Sequence, residues 1–163
     1  MKIRKAKPSD IDQIYEVFLT MLKAEDKASE QVDKIFLEMR TKRKDIEKSA
    51  KAAILKKIKG KGHLFLVAEE KKIVGYSHGY TQEEYKDFFL PITSGYLNAL
   101  CIKEGMQGKG LASLLNQEME KWFKKKKCKV IYLDVFSKNP AVAVYEKWGY
   151  KVLSYTLGKK LKF

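Results

Sequence analysis

With 163 residues the chain is most simply one domain, long enough to bury a core and short for two. Hydrophobic residues make up 45% of it, with nine Tyr and eight Phe, which excludes a disordered polymer. Lys and Arg outnumber Asp and Glu by 34 to 20, and the net charge of +14 points to a partner or co-substrate that carries negative charge, phosphates first among them.

The most continuous apolar run is LFLVA, too short to cross a bilayer, so no membrane partner is expected. MKIRKAKPSD lacks the apolar centre of a signal peptide. Cys101 and Cys128 make neither a disulfide framework nor a metal-ligand pair, and a reducing, cytoplasmic setting is the expectation.

Along the chain, IRKA reads as a strand that runs into Pro8-Ser9-Asp10, a helix-start signal. Ile11, Ile14, Tyr15, Phe18 and Leu22 then fall on one face at helical spacing. The pattern predicts a second helical region from about Glu30 to Ile58. There Val32, Ile35, Phe36, Met39, Ile46, Ala50, Ala53 and Ile54 form a stripe within a Lys-rich surface, ended by Gly60 and Gly62. HLFLVAE (63–69) reads as a strand. KK at 71–72 turns the chain into IVGYSHGY (73–80), where Val74, Tyr76, His78 and Tyr80 face one way.

TQEEYKDFFLPITSG reads as a long polar-aromatic connection, and YLNALCI (96–102) as the next strand. An amphipathic helix follows through Leu111, Leu114, Leu115, Met119, Trp122 and Phe123. KKKK at 124–127 closes it with the sign its dipole favours. KVIYLDVF (129–136) reads as a strand, NPAVAVYEKWGY as a short helix ending at Gly149, and KVLSYTLGKKLKF as a terminal strand or hairpin. The order β-α-α-β-β-β-α-β-α-β is mixed α/β, a single mixed central sheet flanked by helices, with no repeat and no domain boundary across 1–163.

The stretch MQGKGLASLL spends Gly108, Gly110 and Ala112 where a strand hands over to a helix. The first N–H groups of a helix lack internal partners and carry partial positive charge. Small residues let an anion approach them, so Gly108 to Ser113 read as a phosphate cradle. A Walker loop fails, because Lys109 precedes Gly110 and Leu111 follows it. A dinucleotide fingerprint through Gly108, Gly110 and Ser113 needs more strand–helix units than the chain retains.

Gln107-Gly108-Lys109-Gly110-Leu111-Ala112 resembles the Gln/Arg-x-x-Gly-x-Gly/Ala signature of the GNAT superfamily of N-acetyltransferases. KKIVGYSHGY resembles that family's third strand, and YLNALCIKEGMQGKGLASLL its fourth strand, phosphate turn and third helix. YLDVFSKNPAVAVYEKWGY resembles its fifth strand and fourth helix. The resemblance runs over about residues 1–150. It implies the GNAT fold and direct transfer of acetyl from acetyl-CoA, the co-substrate, to an amine of a small molecule or protein. Residues 107–113 would hold the diphosphate, with Lys109 adding a point charge; Lys124 to Lys127 would offer charge to an adenosine phosphate, or are simply a solvated helix end. Backbone groups of Leu100, Cys101 and Ile102 would pair with the pantetheine arm and polarise the thioester carbonyl. Asn139 would contact the cofactor, although it stands one residue closer to Tyr145 than is usual in the family. A homodimer is a state the family allows.

Tyr145 matches the family's proton donor to the departing thiolate, a phenol near pKa ~10 facing a thiol near ~8.5. On spacing alone it is a core aromatic beside Ala141 and Trp148. Asp134, flanked by Leu133 and Val135, is a candidate base in mid-strand, where partial desolvation would raise its pKa, or else a structural carboxylate. Glu83 and Glu84 are alternative bases that would also attract a cationic amine, with Asp87 completing an acidic mouth, or they are simply solvated. His78 is a base acting through water or a satisfied strand histidine. Cys101 reads as a small core residue, and no His/Cys/Asp cluster suggests a metal. Two other classes compete: a basic nucleic-acid-binding module resting on the Lys-rich region 30–59 and KKKK, without the zinc spacing or aromatic motif such modules use, and a catalytically inactive CoA-binding domain.

Overall fold

The computed structural model describes residues 1–86 and 88–161, the side chains at 85, 86 and 89 aside. Strand β1 (Lys2–Lys5) leads through a short 3-10 turn (Pro8–Asp10) into helix α1 (Ile11–Val32). Asp10 fixes that junction. Its carboxylate accepts from the Lys7 N–H at 2.7 Å and from Arg4 at 2.7 and 3.0 Å, while Arg4 also donates to Glu69. One guanidinium thus holds two carboxylates, the bidentate geometry that suits Arg.

The single helix predicted over 30–58 is instead α2 (Lys34–Glu38) and α3 (Ile46–Lys59). Asp33 caps α2 by accepting from the Ile35 N–H at 2.9 Å. Arg40 reaches back to Asp26 at 2.8 Å and Glu25 at 2.7 Å, and Lys42 also pairs with Asp26. Those ion pairs turn the charged stretch RTKRKD away from helix, which the apolar stripe alone does not show.

After α3 come β2 (His63–Glu69), β3 (Ile73–Lys86), β4 (Phe89–Ile102), α4 (Leu111–Lys125), β5 (Val130–Tyr132) and α5 (Ala141–Lys147). Among the described residues five strands form one mixed sheet in the order β1-β2-β3-β4-β5, antiparallel throughout except for the parallel β4–β5 pair. The predicted connection 81–95 is a correction. It is the outer part of the β3–β4 hairpin, paired from Thr81↔Gly95 to Lys86↔Phe89. Its polar run, Thr81 to Glu84, reflects strands with little cover, and Phe88 and Leu90 stand about nine-tenths exposed. The predicted terminal strand does not form either: 151–161 carry no regular structure, and Leu153, Tyr155 and Leu157 are exposed.

The chain resolves into two compact units: Met1–Met21 with Arg43–Asp134, and Leu22–Lys42 with Val135–Phe163. The first holds the sheet. On one face Ile14, Val17 and Ile54 pack against Phe65, Val67, Ile73, Tyr76 and Cys101. On the other, α4 buries Leu111, Leu115, Met119 and Phe123. Phe123 lies directly over Gly79 and Gly95, each of which would drive a Cβ into its ring. Burying that ring contributes on the order of 1.5–3 kcal/mol. Leu114, placed on the helix's apolar stripe by spacing, is 44% exposed. In the second unit Arg40 stacks its guanidinium 5.6 Å from the Phe136 ring centroid. Among the described residues no helix is long and apolar enough to cross a membrane.

Candidate active site

The glycine-rich turn joins β4 to α4. Lys103 N–H bonds Val74 O at 2.8 Å, Met106 N–H bonds Lys103 O at 3.0 Å, and Gln107 donates its side-chain amide to Ile102 O at 3.4 Å. Gly108 and Gly110 both have φ of 77°, and Gly110 is the residue from which α4 starts, with no side chain capping it. A Cβ built at either position meets no atom within 4 Å. The glycines therefore serve the left-handed backbone, and the space above them is open. The first helical bond is Leu114 N–H to Gly110 O at 3.1 Å. The N–H groups of Leu111, Ala112 and Ser113 precede it and have no backbone acceptor among the described residues. Lys109 is exposed, with Nζ 3.5 Å from the Met106 thioether. Lys124 to Lys127 sit at the far end of α4, about 22 Å away at 1.5 Å per residue, so they add no charge to the turn itself.

Strand β4 has two different halves. Ser94, Gly95 and Tyr96 pair with β5, and beyond Tyr96 no described strand lies on that side. Among the described strands, Leu100, Cys101 and Ile102 pair with β3 and not with β5, opposite Ser77, Tyr76 and Gly75. The register shifts by one residue between Leu97 and Ala99, leaving exposed Asn98 as a bulge. The two parallel strands therefore fork, and the inner half of β4 offers a bare edge next to the glycine turn.

Asp134 departs from expectation. Strand β5 ends at Tyr132, so Asp134 lies past the strand and is exposed, not desolvated within it. Strand β5 makes three rungs with β4, the last at Tyr96↔Tyr132. The Asp134 carboxylate accepts a hydrogen bond from the Tyr96 hydroxyl, across the fork. Burial, then that hydrogen bond and the carboxylate's charge, push the Tyr96 phenol well above the usual tyrosine range.

His78 is 1% exposed, its Nε2 lying 2.9 Å from His63 Nδ1 and its own Nδ1 buried with no partner. Burial, then the charges of Lys57 and His63, push its pKa down to about 3. Cys101 is buried and donates to Val17 O at 3.5 Å. Glu83 and Glu84 lie on the outer hairpin, and Asp87 falls outside the described residues. In the second unit, Tyr145 on α5 packs edge-on against Trp148 and Tyr150, at 5.8 and 5.6 Å between ring centroids. Asn139 accepts the Ala141 N–H at 2.9 Å, spending its carbonyl oxygen on the start of α5.

Sequence reasoning missed Tyr96. Nothing in its immediate neighbours marks it; its hydrogen bond to Asp134 comes from standing opposite Tyr80 and at the last rung to β5.

The model of the Acetyltransferase (GNAT) family matches residues 21–150. Comparison with curated protein sequences gives no match. Among solved structures, a tetramutant of the BH1408 protein from Bacillus halodurans superposes with a TM-score of 0.84 at 20% identity, over 99% of this chain and 100% of that one. A transcriptional regulator from the same species, strain C-125, gives 0.70 at 19%, over 98% and 99%. The aminoglycoside antibiotic 6'-N-acetyltransferase AAC(6')-IG from Acinetobacter haemolyticus gives 0.73 at 16%, over 100% and 99%. At these identities the likeness is one of fold.

Proposed function

The chain belongs to the GNAT acetyltransferase family, and on that premise we propose that residues 1–163 form one acetyltransferase domain moving acetyl from acetyl-CoA to an amine of a small molecule or protein. The observation that carries the reading is the open turn at Gly108 and Gly110, facing unpartnered N–H groups beside the bare edge of β4. The N–H groups of Leu111, Ala112 and Ser113 receive the diphosphate, with Gln107 shaping the turn and Lys109 adding charge. The backbone of Leu100, Cys101 and Ile102 pairs with the pantetheine arm as an added strand. Cys101 and Cys128 are not joined in a disulfide, which suits a reducing compartment such as the cytoplasm.

The acceptor ammonium gives one proton to Asp134, and its nitrogen attacks the thioester carbonyl carbon. A C–N bond forms, the C–S bond breaks, and the sulfur takes a proton from Tyr145. The amine's second proton leaves as the amide forms and restores the phenol through solvent, for a net release of one proton to bulk. An N–H on β4 steadies the carbonyl oxygen, a contact of the kind whose loss costs about 10²–10³ in rate. His78, buried and neutral, takes no part.

Calorimetric titration with CoA and thiol release from acetyl-CoA with an amine library test the reading. Micromolar CoA binding that Gly108→Val weakens by about ten-fold or more is expected, since the branched side chain strains the left-handed turn and fills the cradle. Tyr145→Phe is expected to lower turnover while leaving CoA affinity intact. Binding without thiol release would make the chain a CoA-binding domain. Salt-sensitive RNA binding with no CoA response would overturn the reading.

A further inference from the structure

On the α1–α3 face of the sheet, aromatic rings run outward from the core to the fork. His63 and His78 stack at 5.2 Å, His63 meets Tyr80 at 5.5 Å, and Tyr80 and Tyr96 stack at 5.2 Å with 22° between their planes. Burial falls along the run, from His78 at 1% exposure to half-buried Tyr80 and Tyr96 and then exposed Asp134. The Tyr96 hydroxyl donates to Asp134 where β4 and β5 part. Two near-parallel rings ending on one carboxylate match an ammonium group on a flat, apolar body: the rings take the body and the edge of the charge, the carboxylate takes the N–H donors.

Resting on the acetyl-transfer reading, we propose that Tyr80, Tyr96 and Asp134 form the acceptor seat, and that it selects aromatic monoamines over polyamines. Asp134 touches the ammonium. Tyr96 is a positioning residue that aims the carboxylate across the fork and lends its ring to the floor. One carboxylate on a protein of net charge +14 attracts a single positive charge at short range, while a polycation meets repulsion from the rest of the surface.

Phenethylamine and spermidine serve as probes, titrated calorimetrically into the wild type, Tyr96→Phe, Asp134→Asn and the double variant, with circular-dichroism melting to verify folding. Phenethylamine is expected to bind more tightly than spermidine, with Asp134→Asn weakening it by about ten-fold. Tyr96→Phe keeps the ring and should weaken binding by several-fold. In the Asp134→Asn background the same change should do almost nothing, because a group acting through the carboxylate has no role once the charge is gone. A Tyr96→Phe effect of equal size in both backgrounds, unchanged affinity in Asp134→Asn, or a preference for spermidine would overturn the seat. Thiol release separates the two ideas. Phenethylamine lost from Asp134→Asn but never acetylated by the wild type would uphold the seat and sink the transfer reading.

Discussion

Protonating His78 in place would shut a cation away from water at 1% exposure, with Lys57 adding a like charge. The folded protein therefore holds it neutral down to about pH 3, whereas the unfolded chain takes up the proton near 6.5. The unfolded state binds more protons between those values, so His78's contribution to stability is complete above pH 6.5. It is lost as pH falls toward 3, by up to about 1.4 kcal/mol per pH unit. His63 is pushed down too, by burial and then Lys57 and Lys56, and adds to the same limb. Urea unfolding from pH 7 to pH 4.5 should show a falling midpoint, and His78→Gln should flatten the slope by about one proton's worth. An equal slope in the variant would mean that carboxylates such as Asp10, held low by Arg4, dominate the acid limb.

Two kinds of glycine sit around α4, and substitution separates them. A Cβ at Gly95 would come within 2.5, 2.6 and 2.8 Å of Phe123 ring atoms, so Gly95→Ala overpacks the helix–sheet contact at a cost of about 1–3 kcal/mol. At Gly108 the space is empty and the obstacle is the positive φ. Gly95→Ala should lower the melting midpoint by several degrees and leave CoA affinity per folded molecule unchanged, whereas a Gly108 variant should lose CoA affinity. Loss of CoA binding in a folded Gly95→Ala protein would show that α4's seating, not its bare N-terminus, governs the ligand. The same region marks how far sequence reaches. The turn was legible because Gly108, Gly110 and the run after them are local and chemical. The fork was not, because it depends on β5 pairing for three rungs and then parting, a fact of register. The outer hairpin escaped for a related reason: strands with little cover lack the apolar alternation that announces a strand. The break between α2 and α3 rests on ion pairs from Arg40 and Lys42 back to α1, which no periodicity encodes.

Over the whole molecule the excess of Lys and Arg acts on the two proposed substrates with opposite sign. Acetyl-CoA arrives as a polyanion and gains from the long-range field, while an ammonium acceptor is repelled until it reaches Asp134. Screening separates these effects, since the Debye length shrinks from about 30 Å at 0.01 M to about 3 Å at 1 M ionic strength. Contacts made at hydrogen-bond distance, such as N–H groups on phosphate, weaken less over that range than attraction from distant lysines. The KM for acetyl-CoA should therefore rise by about ten-fold or more across the range, mostly through slower association. The KM for phenethylamine should rise far less, because lost attraction to Asp134 is offset by relief from the surrounding positive charge. Stopped-flow association of CoA and steady-state kinetics with each substrate varied in turn would measure both trends. A flat acetyl-CoA response would confine the co-substrate's electrostatics to the glycine turn and leave the surface lysines for another partner. A steep rise for the amine alone would mean that the seat's field comes from more than one carboxylate, and Glu84 on the outer hairpin would be the first side chain to replace.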